Sequence, residues 1–573
     1  MRIAVIKEQE CQAPESCNYI CAEVCPRVRE GLKETVYPKA NGKAAINESL
    51  CISCGICVNR CPFDAIRVIN LPDEMMKEIV FQYGINTFRI YNIATPVNGK
   101  ILGLIGRNGI GKTTNLNLIS NILKPNFGSI ESAISDDEII KRFRGKDIQP
   151  FLTSLYRNGL KISKKPQEFE LHGKVSDLVK TNRYALVDPE LYDRDASTLS
   201  GGESQLVELA SVLDEDAAVY ILDEPMNYLD VTQRIKVAEL IRSSLTDKTI
   251  VIVEHDLIML DYMTDFIQIL YGSDANYGVV SRIMQTRNGI NNYIKGYLPT
   301  ENVMFRPYEI KIKKSLSEYD SVPAVSWSNF DVEVGDFKLK VNAGRINRGE
   351  IIGIIGPNGI GKSTFMRALV GLIDTAAGKM DLGIKISYKP QFLKKVDMLV
   401  QDAFASVKPS YTDNQAITDT IHKLGVDKLL NKNVRNLSGG ELQKVAIVST
   451  LITDADLYLF DEPSANLDIE DRLESMNAIS NFISSTKKCA MIIDHDVMFI
   501  DSITSRTMIF TGKKAKLGTA ENILHTQAAI NAFLKTVDIT MRRDIDTGRP
   551  RINQPKSRMD VEQKARGEFF QED

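Results

Sequence analysis

GRNGIGKTT (Gly106–Thr114) recurs later in the chain as GPNGIGKST (Gly356–Thr364). In both places an apolar strand (ILGLIG or IIGIIG) runs into a glycine loop and then a helix, which is the setting that a phosphate-binding loop requires. The glycines let backbone N–H groups close around phosphate, and the helix N-terminus adds positive potential. The repeat therefore predicts two α/β domains that each bind a nucleotide.

Three further motifs follow each loop in the same order. In the first half they are LSGGESQ (Leu199–Gln205), YILDEP (Tyr220–Pro225) and EHD (Glu254–Asp256). In the second half they are LSGGELQ (Leu437–Gln443), YLFDEP (Tyr458–Pro463) and DHD (Asp494–Asp496). Each motif has a different task in ATP hydrolysis, so the ordered repeat indicates two sets of ATPase elements rather than a simple nucleotide binder.

The residues of each loop predict how ATP and its metal ion are held. We expect Lys112 and Lys362 to reach the β- and γ-phosphates, and Thr113 and Ser363 to ligate Mg²⁺. The other loop residues expected around the nucleotide are Gly106, Asn108, Gly109, Gly111 and Thr114 in the first half, and Gly356, Asn358, Gly359, Gly361 and Thr364 in the second.

Acidic residues at strand ends are the candidates for catalysis. Asp223 and Asp461 end apolar strands, and we expect both to hold Mg²⁺ through water. Glu224 and Glu462 follow directly and are placed to polarise the attacking water. The alternative is that these acids only cap the ends of their strands.

Two of the chain's five histidines, His255 and His495, fall at equivalent places, about 30 residues after each glutamate. A lone histidine at the end of a strand usually packs or caps. The equivalent placement in both halves favours a sensor of the γ-phosphate.

Eight of the nine cysteines lie within residues 11–61. In a reducing compartment such clustering favours metal over disulfides. The chain has no apolar run near the roughly 18 to 20 residues of a membrane span and no signal-peptide pattern, so we expect a cytoplasmic protein without membrane contact. With 43% hydrophobic residues it is not a disordered chain, and a net charge of −3 does not suggest a general nucleic-acid coat.

The second cysteine run has the C-x2-C-x2-C-x3-C-P spacing of bacterial ferredoxins, in which the fourth cysteine reaches the other cluster. We therefore expect one [4Fe–4S] cluster on Cys25, Cys51, Cys54 and Cys57. The second [4Fe–4S] cluster would be held by Cys11, Cys17, Cys21 and Cys61. Two structural zinc sites are the alternative. Cys489 lies alone in an apolar run and is predicted to be a core residue.

The first half carries 26 more residues than the second between its loop lysine and the glutamine of a KPQ tripeptide, which is Gln167 or Gln391. In this extra segment, at about 130–163, DDEIIKRF and DIQPFLTSLYRNGL are predicted as two short amphipathic helices. The basic junction between them contains Arg142, Arg144 and Lys146. It is either an ordinary solvated surface or a docking element present on one half only.

The LSGGE motif resembles the signature of the ABC ATPases. In that family two such domains pack head to tail, and the signature of one half closes over the ATP held by the other. The resemblance implies one site formed by Lys112 and Glu224 with Ser438, Gly439 and Gly440. It implies a second site formed by Lys362 and Glu462 with Ser200, Gly201 and Gly202.

The same resemblance implies further site residues. Gln167 and Gln391 match the family's Q-loops and would contact Mg²⁺, and Asp230 and Asp468 match its D-loops. The candidates for stacking on adenine are Phe88 or Tyr91 in the first half and Phe337 in the second, with a place in the core as the alternative.

Over nearly its whole length the chain is similar to the ABC subfamily E iron–sulfur ATPases. The similarity includes CISCGICVNRCPFDAI, the inserted helices, GYLPTENVMFR (Gly296–Arg306) and RPRIN (Arg549–Asn553), and in that family the last two segments form a hinge along the seam between the halves. The resemblance implies a ribosome-recycling ATPase that uses ATP, Mg²⁺ and two [4Fe–4S] clusters. Closure on ATP would split ribosomes into subunits together with a release factor or its paralogue. The protein would remain on the small ribosomal subunit, contacting rRNA and proteins, with initiation factors as further partners.

The implied layout is a ferredoxin-like α+β domain at 1–72, a first ABC nucleotide-binding domain at 73–297, a first hinge at 298–320, a second ABC domain at 321–535 and a C-terminal hinge segment at 536–573. The two ABC domains would pair within one chain, so we expect a monomer. Basic patches that could meet RNA phosphates are Arg142 with Arg144 and Lys146, Lys311 with Lys313 and Lys314, and Arg549 with Arg551.

Other functional classes remain as alternatives. An iron–sulfur redox protein gated by ATP would need a redox partner, and no flavin, haem or radical-chemistry motif accompanies the cysteines. The energising subunit of a transporter would need a membrane partner. A DNA-repair ABC ATPase usually has a long coiled coil or zinc module between its motifs, and this sequence has neither.

Overall fold

The computed structural model describes residues 2–7, 10–39, 41–47, 50–70, 79–130, 133–310, 322–378, 380 and 382–571. The described elements form a cysteine-rich N-terminal domain, two large sheets of the same strand order and a small C-terminal sheet. The expected boundary at 72/73, the end of the first hinge at 320 and the basic residues Lys311, Lys313 and Lys314 lie outside the described residues.

The N-terminal domain combines two antiparallel strand pairs with short helices. Its elements are β1 (Arg2–Ile6), α1 (Ile20–Glu23), α2 (Pro26–Arg29), β2 (Val36–Pro38), β3 (Ala44–Ile46), α3 (Ile56–Arg60) and β4 (Ile66–Asn70). β1 pairs with β4, and β2 pairs with β3. Small and aliphatic side chains, among them Ala4, Ile46 and Ile66, form one buried core that supports the cysteine-bearing loops. This α+β arrangement confirms the predicted fold class of the domain.

The first ATPase half is an α/β domain. Its strands are β5 (Ile79–Gln82), β6 (Arg89–Tyr91), β7 (Ile101–Ile105), β8 (Ile162–Lys165), β9 (Val219–Asp223), β10 (Thr249–Val253), β11 (Phe266–Ser273), β12 (Tyr277–Val280) and β13 (Met284–Gln285). Its helices are α4 (Lys112–Ile119), α5 (Asp136–Arg142), α6 (Gln149–Arg157), α7 (Val175–Leu178), α8 (Gly201–Asp214), α9 (Val231–Ser244), α10 (Leu257–Met263) and α11 (Thr286–Lys295). A hairpin of β14 (Tyr297–Leu298) and β15 (Val303–Met304) follows.

The sheet of this half brings its motifs to one edge. β7, β10 and β9 are neighbouring parallel strands, and all of their residues are buried, which is why they are continuous apolar runs. The carboxyl ends of parallel strands meet at the same edge of a sheet. The glycine loop after β7, Asp223 at the end of β9 and His255 after β10 therefore converge.

The second half repeats this design. Its strands are β16 (Pro323–Trp327), β17 (Phe330–Val334), β18 (Phe337–Val341), β19 (Gly344–Asn347), β20 (Ile351–Ile355), β21 (Ile386–Lys389), β22 (Leu457–Asp461), β23 (Cys489–Ile493), β24 (Arg506–Lys513), β25 (Leu517–Ala520) and β26 (Leu524–His525). Its helices are α12 (Lys362–Leu369), α13 (Val400–Val407), α14 (Gln415–Lys423), α15 (Gly439–Ile452), α16 (Ile469–Thr486), α17 (Val497–Ile503) and α18 (Thr526–Thr536). The order β17-β18-β25-β24-β20-β23-β22-β21 matches β5-β6-β12-β11-β7-β10-β9-β8 strand for strand. Cys489 is fully buried in this core, as predicted.

The inserted segment of the first half contains the two predicted helices, α5 and α6. The Ser135 side chain caps α5 by accepting from the Glu138 N–H. Ile139, Phe143 and Leu152 are buried against the core of the first half. The basic junction between the helices is exposed, so the insertion is a well-anchored element with a basic tip.

The C-terminal segment forms β27 (Met541–Arg543), β28 (Pro550–Ile552), α19 (Arg558–Arg566) and β29 (Phe570–Gln571), with the sheet order β28-β27-β29. One hydrophobic cluster runs through the first half, the second half and this sheet. No helix of the described residues is long and apolar enough to cross a membrane.

The C-terminal arginines correct one expectation. Arg549 is fully buried and pairs with Asp261 at 3.1 Å, and Arg551 binds the same carboxylate. Arg543 pairs with Asp501 of the second half at 2.7 Å. The suggestion that Arg549 and Arg551 meet RNA phosphates was therefore wrong, because internal carboxylates neutralise both side chains and one of them is out of reach of solvent. This segment joins the two halves instead.

Candidate functional site

Each glycine loop turns sharply into its helix. Gly111 (φ 98°) and Gly361 (φ 100°) precede α4 and α12 in the left-handed region. A Cβ on Gly111 would lie 2.5 Å from Ile90 Cδ1, and a Cβ on Gly361 would lie 2.8 Å from Phe337 Cζ. Only glycine fits these positions, and the turn leaves the helix N-termini open to an anion.

The loop lysines are buried cations. Lys112 Nζ donates to Gly106 O at 2.8 Å, and Lys362 Nζ donates to Gly356 O at 2.7 Å. Burial lowers the pKa of Lys112, and it lowers that of Lys362 to about 8, although nearby carboxylates oppose the change in both. Keeping each ammonium charged therefore costs free energy in the protein alone, and an anionic phosphate beside it would offset this cost.

A hydroxyl lies beside each strand-end aspartate. Thr113 Oγ1 donates to Asp223 Oδ2 at 3.0 Å, and Ser363 hydrogen-bonds Asp461. Tyr388 Oη also donates to Asp461 Oδ2 at 3.2 Å. Burial raises the pKa of both aspartates, and the neighbouring glutamate charges add to the rise. Hydroxyl and carboxylate oxygens in such surroundings fit a divalent cation of the Mg²⁺ type.

The glutamate after each aspartate is held by side chains from two other motifs. Gln167 Nε2 donates to Glu224 Oε1 at 2.8 Å, and His255 Nε2 lies 3.3 Å from the same oxygen. The second half repeats the arrangement around Glu462 Oε1 with Gln391 at 2.7 Å and His495 at 3.3 Å. The structure thus brings the Q-loop, the catalytic candidate and the histidine of each half into contact.

These two glutamates are strained and ionised. Glu224 (φ 47°) and Glu462 (φ 49°) adopt the left-handed region, which is uncommon for a residue with a side chain. Burial favours the neutral acid, but the histidine 3.3 Å away and the charge of Lys112 or Lys362 lower the pKa of each glutamate to about 2. Both carboxylates are therefore charged at neutral pH.

Each LSGGE motif forms the start of a long helix with a capping box. The Ser200 side chain accepts from the Glu203 N–H at the start of α8, and the Ser438 side chain accepts from the Glu441 N–H at the start of α15. A Cβ on Gly202 would lie 3.9 Å from Asn358 Nδ2, and a Cβ on Gly440 would lie 3.9 Å from Asn108 Nδ2. Each signature therefore faces the glycine loop of the opposite half.

The D-loop aspartates connect the halves directly. Asp230 Oδ2 accepts from the Asn358 N–H at 2.8 Å, and Asp468 Oδ2 accepts from the Asn108 N–H at 2.8 Å. The two halves are thus joined head to tail. We call the site with Lys112, Glu224 and Ser438–Gly440 composite site 1. The site with Lys362, Glu462 and Ser200–Gly202 is composite site 2.

The aromatic candidates divide into two groups. Phe88 Cζ lies 2.6 Å from where a Cβ of Gly111 would be, as Phe337 lies beside Gly361, so these two phenylalanines are equivalent. Tyr91 is buried in the core, which makes it a packing residue rather than a surface for adenine. Tyr83 was not foreseen, although it is half-exposed and its Oη lies 3.2 Å from Thr114 Oγ1 at the loop.

The eight clustered cysteines surround two cavities in the N-terminal domain. One cavity is lined by Cys25, Cys51, Cys54 and Cys57. The other is lined by Cys11, Cys17, Cys21 and Cys61. This grouping is the same as the one expected from the ferredoxin spacing. Among the described residues, no three cysteine, histidine or carboxylate side chains are arranged to hold a single metal ion.

Apolar surroundings make one thiol in each cavity reluctant to ionise. Burial raises the pKa of Cys21 to about 12 and that of Cys57 to about 11, and the charges of neighbouring cysteines add to both rises. Four thiolates around one small space need a positive centre to offset their repulsion. The donor set therefore fits a multi-iron cluster in each cavity.

The cysteine-rich domain touches both halves. The Asn86 side chain of the first half accepts from the Ile46 N–H at 2.6 Å. Lys432 of the second half pairs with Glu10 and with Glu441, both at 3.2 Å. Because Glu441 belongs to the second signature and caps its helix, Lys432 links the domain to composite site 1.

Comparisons with known proteins show which family the chain belongs to. The family model for ABC transporters matches residues 94–227 and 339–465, and the model for 4Fe-4S binding domains matches residues 44–67. The ABC transporter E family member 1 of Arabidopsis thaliana is 36% identical to the chain, across 99% of the chain and 98% of that protein. The chain belongs to the ABC subfamily E family of iron–sulfur ATPases. It is therefore an ATPase of the ABC superfamily with an iron–sulfur-binding domain.

Two solved structures of subfamily E proteins are similar to the whole chain or most of it. A structure of ribosome-bound archaeal Pelota and ABCE1 has a TM-score of 0.91 at 39% identity and covers 100% of this chain and 99% of its own. A crystal structure of the archaeal ribosomal stalk protein aP1 with the archaeal ribosome recycling factor aABCE1 has a TM-score of 0.81 at 38% identity, over 87% of this chain and 100% of its own.

Proposed function

We propose that this chain is a ribosome-recycling ATPase, in which ATP-driven closure of the two halves splits ribosomes into subunits together with a release factor or its paralogue. The observation that carries the proposal is the iron–sulfur domain in contact with both halves beside composite site 1. A change in how the halves meet would therefore move this domain as a rigid body. The similar structure of ribosome-bound Pelota and ABCE1 supports the same role.

We propose the following roles for the site residues. The loop lysines would bind the β- and γ-phosphates. The hydroxyls of Thr113 and Ser363 would hold Mg²⁺ together with Gln167 and Gln391. Asp223 and Asp461 would hold the same ion through water. Glu224 and Glu462 orient the attacking water, and His255 and His495 contact the γ-phosphate. The signature and D-loop of each half complete the site of the other, so neither half is a complete enzyme alone.

We propose that each cysteine cavity holds one [4Fe–4S] cluster, with the ligand groups that line it. When bound, the two clusters supply positive centres that fix the cysteine loops. Changing Cys54 to Ser should remove part of the iron and of the visible absorbance, and leave ATP binding largely unaffected. Unchanged iron content would contradict the ligand assignment. The matched variant in the other cavity is Cys17→Ser.

We propose as partners the small ribosomal subunit, through its rRNA and proteins, a release factor or its paralogue, and initiation factors. The exposed junction of the inserted helices, with Arg142, Arg144 and Lys146, offers charges for RNA phosphates. We also propose a cytoplasmic monomer with the domain layout expected from the sequence.

Sucrose-gradient sedimentation tests the proposed function. Purified ribosomes, a release factor and the iron-loaded protein are mixed with and without ATP. ATP-dependent conversion of whole ribosomes to subunits supports the proposal, and the combined Glu224→Gln and Glu462→Gln variant should remain on the small subunit. Intact ribosomes without bound protein, despite full iron and active ATPase, would favour the redox or transport-linked alternatives.

A further inference from the structure

The rims of the two composite sites carry different charges. Arg107 occupies the second position of the first glycine loop, where the second loop has Pro357. Arg107 Nη1 lies 3.4 Å from Asp274 Oδ2 in the same half, and Arg107 Nε lies 3.6 Å from Glu470 Oε2 across the seam. The loop of composite site 1 is therefore joined to the second half by an ion pair in addition to the D-loop hydrogen bond.

Glu470 connects this ion pair to the segment after the first half. Its side chain is buried and lies in the first turn of α16. Arg306 Nη1 pairs with Glu470 Oε1 at 2.8 Å, and Tyr293 Oη lies 3.3 Å from the same oxygen. Arg107 of the first half and Arg306 of the segment that follows it thus hold one carboxylate of the second half.

Arg107 is a cation of the glycine loop with four carboxylates nearby. Burial lowers its pKa, but the charges of Asp274, Glu470, Asp468 and Asp471 outweigh burial and raise it. Three of these acids belong to the D-loop and the first turn of α16, which faces the loop that is proposed to bind ATP. Acids in this place repel a triphosphate, and a guanidinium between them offsets the repulsion.

Composite site 2 has a different set of residues at the matching positions. Thr232 stands where α16 has Glu470, and Gln233 stands where it has Asp471. Lys514 stands at the position that corresponds to Asp274, and it pairs across the seam with Glu203 at 3.2 Å. Around its glycine loop, composite site 2 has one D-loop carboxylate and a lysine. Composite site 1 has an arginine with four acids nearby.

We propose that Arg107 is a positioning residue specific to composite site 1: it neutralises the acidic start of α16 and holds the first glycine loop against it, so that tight ATP binding at this site depends on an ion pair that composite site 2 lacks. The proposal rests on the assignment of the two composite sites and not on ribosome splitting. Arg107 acts through Glu470 and the loop backbone, and the chemistry stays with Glu224.

The test isolates one site at a time in the full-length, iron-loaded protein. The variant Lys362→Ala with Glu224→Gln retains only composite site 1 and does not turn ATP over. The variant Lys112→Ala with Glu462→Gln retains only composite site 2. Equilibrium binding of Mg-ATP to each gives its Kd and stoichiometry, and thermal melting reports the fold.

Adding Arg107→Ala should raise the Kd of composite site 1 by roughly three- to tenfold at low salt. Arg107→Lys should restore most of the affinity, and the difference should shrink towards about 1 M salt, because charges there are screened within about 3 Å. In the composite site 2 protein, Arg107→Ala should leave the Kd unchanged.

An unchanged Kd at composite site 1, an equal loss at both sites, or a loss that Arg107→Lys does not relieve would overturn the inference. Arg107→Gln, which keeps a polar head of similar reach, gives the same comparison if the alanine variant melts early. If either parent protein binds two ATP molecules or none, the assignment of the sites is wrong before Arg107 is changed, and the inference falls with it.

Discussion

The two composite ATP sites share the contacts of the catalytic glutamate with the Q-loop and the histidine, and they differ at their rims. The distance from the Q-loop amide to the glutamate is 2.8 Å in one and 2.7 Å in the other, and the histidine lies 3.3 Å from the glutamate in both. At the rim, Arg107 in one site corresponds to Pro357 in the other. The residues proposed to handle ATP and the D-loop hydrogen bonds are duplicated, whereas the ion pairs at the rims are not.

The position of each group explains this difference. The interior side chains follow buried parallel strands, whose edge fixes where their ends meet. The rim side chains lie on loops and on the first turn of a helix from the other half, outside the buried parallel strands. Each rim can therefore be tuned without altering the interior.

The largest effect is expected from replacing the catalytic glutamate in the interior of one site at a time. Glu224→Gln or Glu462→Gln should slow hydrolysis at its own site by about 10²- to 10⁴-fold, because a neutral amide polarises water poorly. ATP binding should persist and favour the closed state, and steady-state phosphate release measures the rate. Normal turnover in both variants would refute the water-polarising role. Equal losses would support equivalent interiors, and unequal losses would show that the two interiors differ in function.

The next largest effect is expected from removing the D-loop hydrogen bonds between the two halves. Asp468→Ala removes the acceptor of the Asn108 N–H and should weaken ATP binding at composite site 1, and Asp230→Ala should do the same at composite site 2. A charge-assisted hydrogen bond contributes about 1.5 to 3 kcal/mol, so each Kd should rise roughly tenfold or more. The single-site proteins described above provide the measurement.

Asparagine is the control for these D-loop variants, since Asp468→Asn and Asp230→Asn keep one acceptor oxygen, which can still cap the helix, while the amide nitrogen in place of the second oxygen cannot accept from the loop N–H. If alanine at Asp468 weakened composite site 2 and left composite site 1 unchanged, the head-to-tail assignment would be reversed.

The pH dependence of ATP affinity sharpens the comparison further. Burial lowers the pKa of Lys362 to about 8, so its ammonium loses a proton as the pH rises through that value. Only the charged form attracts phosphate, so the affinity of composite site 2 should be constant below pH 8 and fall above it by up to about tenfold per pH unit. Lys362→Arg should bind in a manner independent of pH in this range, because guanidinium stays charged. A flat profile in the unsubstituted site would contradict the lowered pKa.

Much of this architecture could be predicted from local sequence. The repeated motifs indicated two α/β domains, the spacing between Lys112 and Gln167 located the inserted helices, and ferredoxin spacing grouped the cysteines as the structure does. The misses depend on partners that are distant in sequence. The sequence suggested that Arg549 is a surface charge, because the carboxylate that it pairs with, Asp261, lies far away in the first half. Arg107 differs from Pro357 within a motif that was otherwise matched, and that difference was the available signal.

The smallest expected effect concerns the rim of composite site 2. The Lys514 side chain is 54% exposed, and its ion pair with Glu203 spans 3.2 Å. An exposed ion pair contributes about 0.2 to 1 kcal/mol, so Lys514→Ala should raise the Kd of composite site 2 less than about fivefold. Glu203 also accepts from the Ser200 N–H of its own capping box, so its carboxylate keeps a partner when the lysine is removed. The same variant should leave composite site 1 unchanged. If Lys514→Ala instead raised the Kd of composite site 2 more than Arg107→Ala raises that of composite site 1, the stronger rim contact would belong to composite site 2. The number of carboxylates that face each loop would then not decide how tightly each site binds ATP.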